Sequence, residues 1–158
     1  MTYKKITFFL FATVLLISLT GCRGTKIESM DELNAENLYP YSNDDLGFSL
    51  YLPSDFIYFQ TQRKNNQDFS DLEIYIPTAD MSQQKEVSGY AKPIIVRVFD
   101  KKYWNDNMND EERAEYIKAG EKGNRVYGLM FWNNIPSDWS VKWTEDMKNQ
   151  IIKDFQIK

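Results

Sequence analysis

The 158-residue chain contains no histidine. That absence removes Ser-His-Asp and Cys-His nucleophilic mechanisms and every zinc site that uses an imidazole. Cysteine is nearly absent as well. Cys22 is the only thiol, so the chain cannot form an internal disulfide, and an exported domain would be held by its core alone. A glycine-rich phosphate loop is missing, because Gly120, Gly123 and Gly128 lack the spacing and no Lys-Ser/Thr follows them. Positive charge is not in excess: 19 Lys+Arg stand against 23 Asp+Glu. This balance argues against nucleic acid as a partner and against a polybasic grip on anionic lipid. No apolar run reaches the ~20 residues of a permanent membrane helix.

What is present begins at the amino end. Met1-Thr2-Tyr3-Lys4-Lys5 precedes an apolar stretch from Ile6 to Leu19, interrupted by Thr13 and Ser18. A cationic start followed by a short apolar run is the pattern of a cleaved export signal, with the two lysines held on the cytoplasmic side. The run ends in Leu19-Thr20-Gly21-Cys22, which resembles a bacterial lipobox. That resemblance implies a diacylglyceryl group on the Cys22 sulfur, cleavage between Gly21 and Cys22, and acylation of the new amino end. Small residues ahead of the cysteine let a peptidase approach the backbone. Two or three chains then anchor firmly, since each buried methylene adds ~0.8 kcal/mol. The competing reading is an ordinary secretory signal with an incidental cysteine. Arg23, rather than an aspartate, follows the cysteine, which leaves an outer-membrane location open if the cell has two membranes.

Loss of Lys4 and Lys5 leaves 17 basic against 23 acidic residues, a formal charge of −6 for the mature chain. Its length suits one domain with an adequate core, and 15% aromatic content favours a filled sheet protein over a disordered stalk. The expected divisions are a signal peptide over 1–21, a lipidated cysteine and polar tether over 22–37, and a domain over 38–158. Ser29 and Glu32 could box a short helix over Met30–Asn37.

The domain opens with "YPYSNDDLGFSLYLP", read as a β-hairpin turning at Asn43-Asp44-Asp45. After the turn Leu46, Phe48, Leu50 and Leu52 alternate with polar residues up to Pro53, a strand with one buried face. Residues 56–59 suggest another short strand, and 61–71 a polar loop. Leu72, Ile74 and Ile76 alternate in a strand stopped by Pro77. A polar loop over 78–92 follows, of a length that is often functional. "IIVRVF" after Pro93 reads as a central strand. Asn109 with Glu112 predicts a capped helix over 110–119 stopped by Gly120. Residues 125–132 form the next strand. Thr144 caps a last helix over about 145–155, with Met147, Ile151 and Phe155 on one face. "PSDF" at 53–56 and "PSDW" at 136–139 share turn chemistry rather than ancestry.

This order of elements resembles PsbP-like proteins and small bacterial lipoproteins sharing their fold. Tyr41, Gly47, Phe48, Pro53, Ile151 and Phe155 carry the resemblance. It implies a single α+β domain, a mainly antiparallel sheet packed with helices. It also implies an accessory, assembly or protein-binding role at a membrane rather than an enzyme. No functional residue carries over, since the matching positions are core and turn positions.

Three classes of function are weighed. The leading one is a non-enzymatic envelope protein, lipid-anchored on the extracytoplasmic face of a bacterial membrane, that binds or assists another envelope component without a cofactor. The second is a module for cell-wall glycan using Tyr90, Trp139 and Trp143 as a candidate binding surface. Trp139, Val141 and Trp143 alternate just before the last helix, and packing that helix onto the sheet is the favoured role for them, as core is for Trp132. The third is a carboxylate hydrolase built on Asp68, Asp71 and Glu73 or on Asp106, Asp110 and Glu111, which would need two acids facing across a cleft. "NDNMNDEE" fits a calcium loop poorly: starting at Asp106, Met108 falls at the third ligand position. No metal site is expected.

Overall fold

A computed structural model describes residues 33–158. The chain enters through a turn, not the tail of a helix. The Asn34 side chain accepts from the backbone N–H of Glu36 and of Leu38, at 3.0 and 2.8 Å. The helix expected over 30–37 is therefore absent from 33–37, and its first residues lie outside the described part.

Strands β1 (Leu38–Asn43) and β2 (Phe48–Pro53) form the expected hairpin. Asn43 Oδ1 accepts from the Leu46 N–H, and Gly47 takes φ +77°, which a side chain would strain. A Cβ there would also sit 3.1 Å from the Tyr127 hydroxyl. Short β8 (Gln156–Ile157) pairs with the other edge of β2, completing a three-stranded sheet ordered β1-β2-β8.

The second sheet has five antiparallel strands ordered β3-β4-β5-β7-β6. These are β3 (Gln60–Asn65), β4 (Phe69–Pro77), β5 (Tyr90–Asp100), β6 (Ile117–Lys122) and β7 (Arg125–Phe131). As expected, "IIVRVF" lies in the central strand. Pro93, which cannot donate, is accommodated because the ladder jumps from Ile74–Ile94 to Ile76–Ala91, leaving Tyr75 opposite two residues.

Three expectations need correction. Residues 56–59 do not form a strand: Ser54–Phe56 is a 3-10 turn that buries Phe56 and Phe59 and turns Ile57 and Tyr58 outward. Residues 61–65 are not loop but the charged edge strand β3, whose polarity blunts an open edge. The helix begun by Asn109 and Glu112 has its capping box, yet α2 ends at Ala114, and 117–122 become β6. There the pairing energy of β7 overrides the helix preference of Lys, Ala and Glu. Ala119 bulges from that ladder, and Gly120 takes φ +150° beside Ile157. A further helix, α1 (Lys101–Asp106), was not anticipated. Asp100 caps it by accepting from the N–H groups of Lys102 and Tyr103.

The main core lies between the two sheets. Phe48, Leu50 and Leu52 of β2 face Leu72, Ile74 and Ile76 of β4, Ile94, Val96 and Val98 of β5, and Leu129 of β7. Helix α3 (Glu145–Lys153), capped by Thr144, adds Ile151. Phe155 behind it stacks on Phe48, ring centroids 5.2 Å apart. A smaller cluster of Phe99, Trp104, Met108 and Val126 lies on the outer face of the five-stranded sheet under α1. The molecule is thus a single α+β domain of two mainly antiparallel sheets with a few short helices. No helix among the described residues is long and apolar enough to cross a membrane.

Candidate functional site

Strand direction gives the domain two ends. At one end β1 begins, β2 and β4 finish, β5 starts and β7 finishes, so the loops 54–59, 78–89 and 132–144 meet there. The turns 44–47, 66–68 and 123–124 gather at the other.

The aromatic candidates belong to the first end. Trp139 and Trp143 are not displayed: they are 4% and 8% exposed. The Trp139 indole N–H donates to the Pro77 carbonyl at 2.9 Å, and both rings pack on Phe56. Tyr90 is half-buried, and its hydroxyl accepts from the Gln60 side chain at 2.8 Å. Among the described residues no flat row of tryptophans is open for a sugar to stack on: the candidate surface of Tyr90, Trp139 and Trp143 is not displayed, and Trp139 and Trp143 take the packing role favoured for them. The two Pro-Ser-Asp turns have one structural use: each sends its aromatic residue, Phe56 or Trp139, into the same cluster, edge to face at 5.6 Å. Trp132, expected inside a strand, follows β7 and packs against Trp143. Its buried indole N–H finds no acceptor among the described residues.

The loops here are tied rather than loose. Thr78 Oγ1 and the Ala79 N–H donate to the Asp138 carboxylate, at 2.7 and 2.9 Å. Ser82 and the Ser137 N–H donate to Asp80, which drops its carboxyl to about 2. The Gln84 side chain bridges both sides of the loop, donating to Thr78 O and accepting from the Gly89 N–H.

Of the acids suspected of catalysis, Asp71 and Glu73 sit on the outer face of the five-stranded sheet, whereas Asp68 lies in the turn before β4 and Asp106 ends α1. Asp71 and Glu73 are alternate residues of β4 and face one way. Each is already occupied. Arg97 grips Asp71 with two bonds of 2.5 and 2.6 Å, and its third nitrogen donates to the Tyr116 hydroxyl. Glu73 accepts from Lys64, Lys92 and the Tyr75 hydroxyl, at 2.8, 2.7 and 2.7 Å. Burial opposes ionisation of Glu73, but these three donors outweigh it and hold its carboxyl below the usual range. A general acid needs the opposite shift. Glu86, from the 78–89 loop, completes the group by bonding the same two lysines, which hold its carboxyl at about 2. Asp110 and Glu111 occupy the first turn of α2, and Asp110 pairs with Arg113. Asn109 and Glu112 of the suspected calcium loop are spent on the capping box. Among the described residues no group of three or more acids, His or Cys is placed to hold a metal ion.

The second end carries an open recess of about 190 Å³ between the β3–β4 turn and the β6–β7 turn. Arg63, Asn66, Gln67, Asp68, Asn124 and Arg125 line its polar walls. Arg125 donates to the carbonyls of Asp45 and Leu46, and Arg63 pairs with the Asp45 carboxylate at 3.4 Å. No sequence signal singled this recess out, because its polar walls come from two turns and the strand ends beside them, far apart in the sequence. Gly21 and Cys22 lie outside the described residues.

No family model, curated protein or solved structure matches the chain.

Proposed function

We propose that this chain is a lipid-anchored, non-enzymatic module of the bacterial envelope that binds or assists another envelope component. The observation that carries the reading is the single cysteine at the end of Lys4-Lys5, an apolar run and Leu19-Thr20-Gly21. Cys22 takes the lipid, and residues 23–37 link it to the domain on the extracytoplasmic face. We further propose a PsbP-like domain, which the opening hairpin, Gly47-Phe48 before Pro53, and the closing helix with Ile151, followed by Phe155, favour.

Protein rather than glycan is the favoured partner. Trp139 and Trp143 are buried and offer a sugar no stacking surface, whereas the Arg63–Arg125 recess offers mixed donors and acceptors suited to a polar protein segment. Confinement at a membrane raises effective concentration, so a shallow recess can serve where a soluble protein would need a deeper one. Growth with labelled palmitate tests the anchor: the wild type takes up label and Cys22→Ala takes up none. In-cell crosslinking of the acylated chain tests the partner, and capture of glycan fragments alone would reject the protein-binding reading.

A further inference from the structure

The exposed large hydrophobic residues are not scattered. Among the described residues they are Leu33, Ile57, Tyr58, Met81, Ile117, Ile135 and Val141. All but Ile117, which sits on the edge strand β6, belong to the chain entry and the three loops at the first end. Tyr58 is 75% exposed, Met81 84% and Val141 90%. The recess end has none. Single exposed apolar residues are ordinary, but a set confined to one end marks a contact surface.

We propose that this end is a membrane-contact face, with the tips of loops 54–59, 78–89 and 132–144 seated in the interfacial layer of the bilayer that holds the Cys22 lipid. The proposal rests on the anchored reading above. Its first support is where the chain enters. Leu33 leads directly into β1 at this end, and Leu38 pairs with Pro53, one residue ahead of the 54–59 loop. Eleven residue steps separate Cys22 from Leu33, a span of at most about 40 Å. The eleven-residue β5 makes the domain itself about 35 Å long. The apolar end therefore reaches the bilayer with slack, while the recess end reaches it only with the link drawn to its limit.

The second support is local. Tyr58 holds φ +61°, a left-handed conformation that a bulky residue rarely adopts, and this turns its ring out of the core. Tyrosine, with an apolar body and a polar tip, suits the headgroup boundary. The third is charge. Two acids of these loops, Asp80 and Asp138, are consumed by bonds between the loops. The charges left outward include both signs, Asp55 and Glu145 against Lys85 and Lys142. Apolar contact, not attraction to anionic lipid, must carry the docking. Its consequence is orientation: the Arg63–Arg125 recess is turned away from the membrane, toward whatever the protein meets.

The acylated full chain, reconstituted in phosphatidylcholine vesicles containing nitroxide-labelled lipid, tests this. Tyr58→Cys, Val141→Cys and Lys122→Cys each receive an environment-sensitive dye, the Cys22 sulfur being blocked by its own lipid. The expected result is blue-shifted emission and nitroxide quenching at 58 and 141, not at 122, unchanged in high salt. Adding the exposed pair Met81→Asp and Ile135→Asp should bring quenching at 58 down to the level at 122. If the chain floats with the vesicles while 58 and 141 behave like 122, the docking is overturned and the anchor stands. Shielding of 58 and 141 from aqueous quencher without nitroxide quenching means that protein covers the face, which also overturns it. A chain that neither floats nor carries diacylglycerol by mass overturns the anchor and the docking together.

Discussion

Leu72, Ile74 and Ile76 and their neighbours Asp71, Glu73 and Tyr75 share one strand, and all six are buried, yet by different means. The inner three lie between two sheets, where removal of apolar surface from water stabilises each by about 1.5–3 kcal/mol. No second sheet covers the outer three. Beyond the patch under α1, that face is closed by long side chains from its neighbours: Lys64 from β3, Lys92 and Arg97 from β5, and Glu86 from a loop. The Arg97 guanidinium also lies 3.9 Å from the Phe69 ring centre, which extends the aromatic cluster under α1 toward the charges. One face is therefore held by shape and the other by pairing, and the two should fail differently.

The largest effect belongs to the inner face. Ile74→Ala removes fully buried volume between β2 and β5 and should cost about 4 kcal/mol in denaturant unfolding, with the slope unchanged. A cost under about 1 kcal/mol would mean that the two sheets close over the gap, and the contrast between faces would weaken. The outer face should show a smaller loss and a rescue that the inner face cannot. Arg97→Met strands the buried Asp71 carboxylate and should cost about 3 kcal/mol. Adding Asp71→Leu removes the stranded charge and should restore most of that loss, because well-packed apolar residues replace a buried ion pair at little cost. A double variant no better than the single would show that the outer face depends on its charges for more than their mutual satisfaction.

Legibility in the sequence followed the same division. Phe48, Leu50 and Leu52 read correctly because alternation, Gly47 and Pro53 all agree with the hairpin found. "IIVRVF" read correctly as central because both faces of β5 are largely covered. β3 was illegible, since "QTQRKN" has no apolar residue and only its ladder to β4 makes it a strand. Ile117–Ala119 looked helical because local preference is all a sequence shows, while the pairing of β6 with β7 is non-local. α1 hid behind the run of β5, its cap Asp100 being also the last strand residue. The closeness of Asp71 and Glu73 was legible, but their shared face was not, because 61–71 read as a loop while β4 already begins at Phe69. Nor were their partners: Arg97 is 26 residues from Asp71, and the Glu73 lysines come from strands on either side. The apolar end escaped notice for a related reason, as Tyr58, Met81 and Val141 are far apart in sequence and stand among polar neighbours.

The smallest effect is also the one that distinguishes the faces without cutting a cavity, because pH acts on the outer face alone. Glu73 and Glu86 both titrate below the unfolded glutamate value of about 4.5. Their contribution to stability is thus present above that value and is lost as pH falls through their folded values, which for Glu86 lies at about 2. Lys64 moves the other way. Its bonds to Glu73 and Glu86 raise it above its ordinary value against a smaller cost of burial, so its contribution is complete below about 10.5 and is lost as pH climbs through the folded value. The Tyr75 hydroxyl, raised by burial and by the same two carboxylates, does not ionise between these limits. Stability should form a plateau at neutral pH with an acid shoulder and an alkaline one. Glu73→Gln should flatten the acid shoulder below about pH 4.5 and lower the pH at which Lys64 deprotonates. Glu86, with Asp44, Asp80, Glu121 and Asp138, each held low by its own partners, sets the slope that remains. Because Lys64 and Glu86 are largely in water, added salt should shrink the difference between wild type and Glu73→Gln. Urea midpoints across the acid range measure it, with Ile74→Val as the inner-face reference. That variant should lower every midpoint by a similar amount and leave the curve's shape alone. An acid shoulder equally steep in Glu73→Gln and wild type would place the pH dependence elsewhere and remove the ion pairs as what closes the outer face.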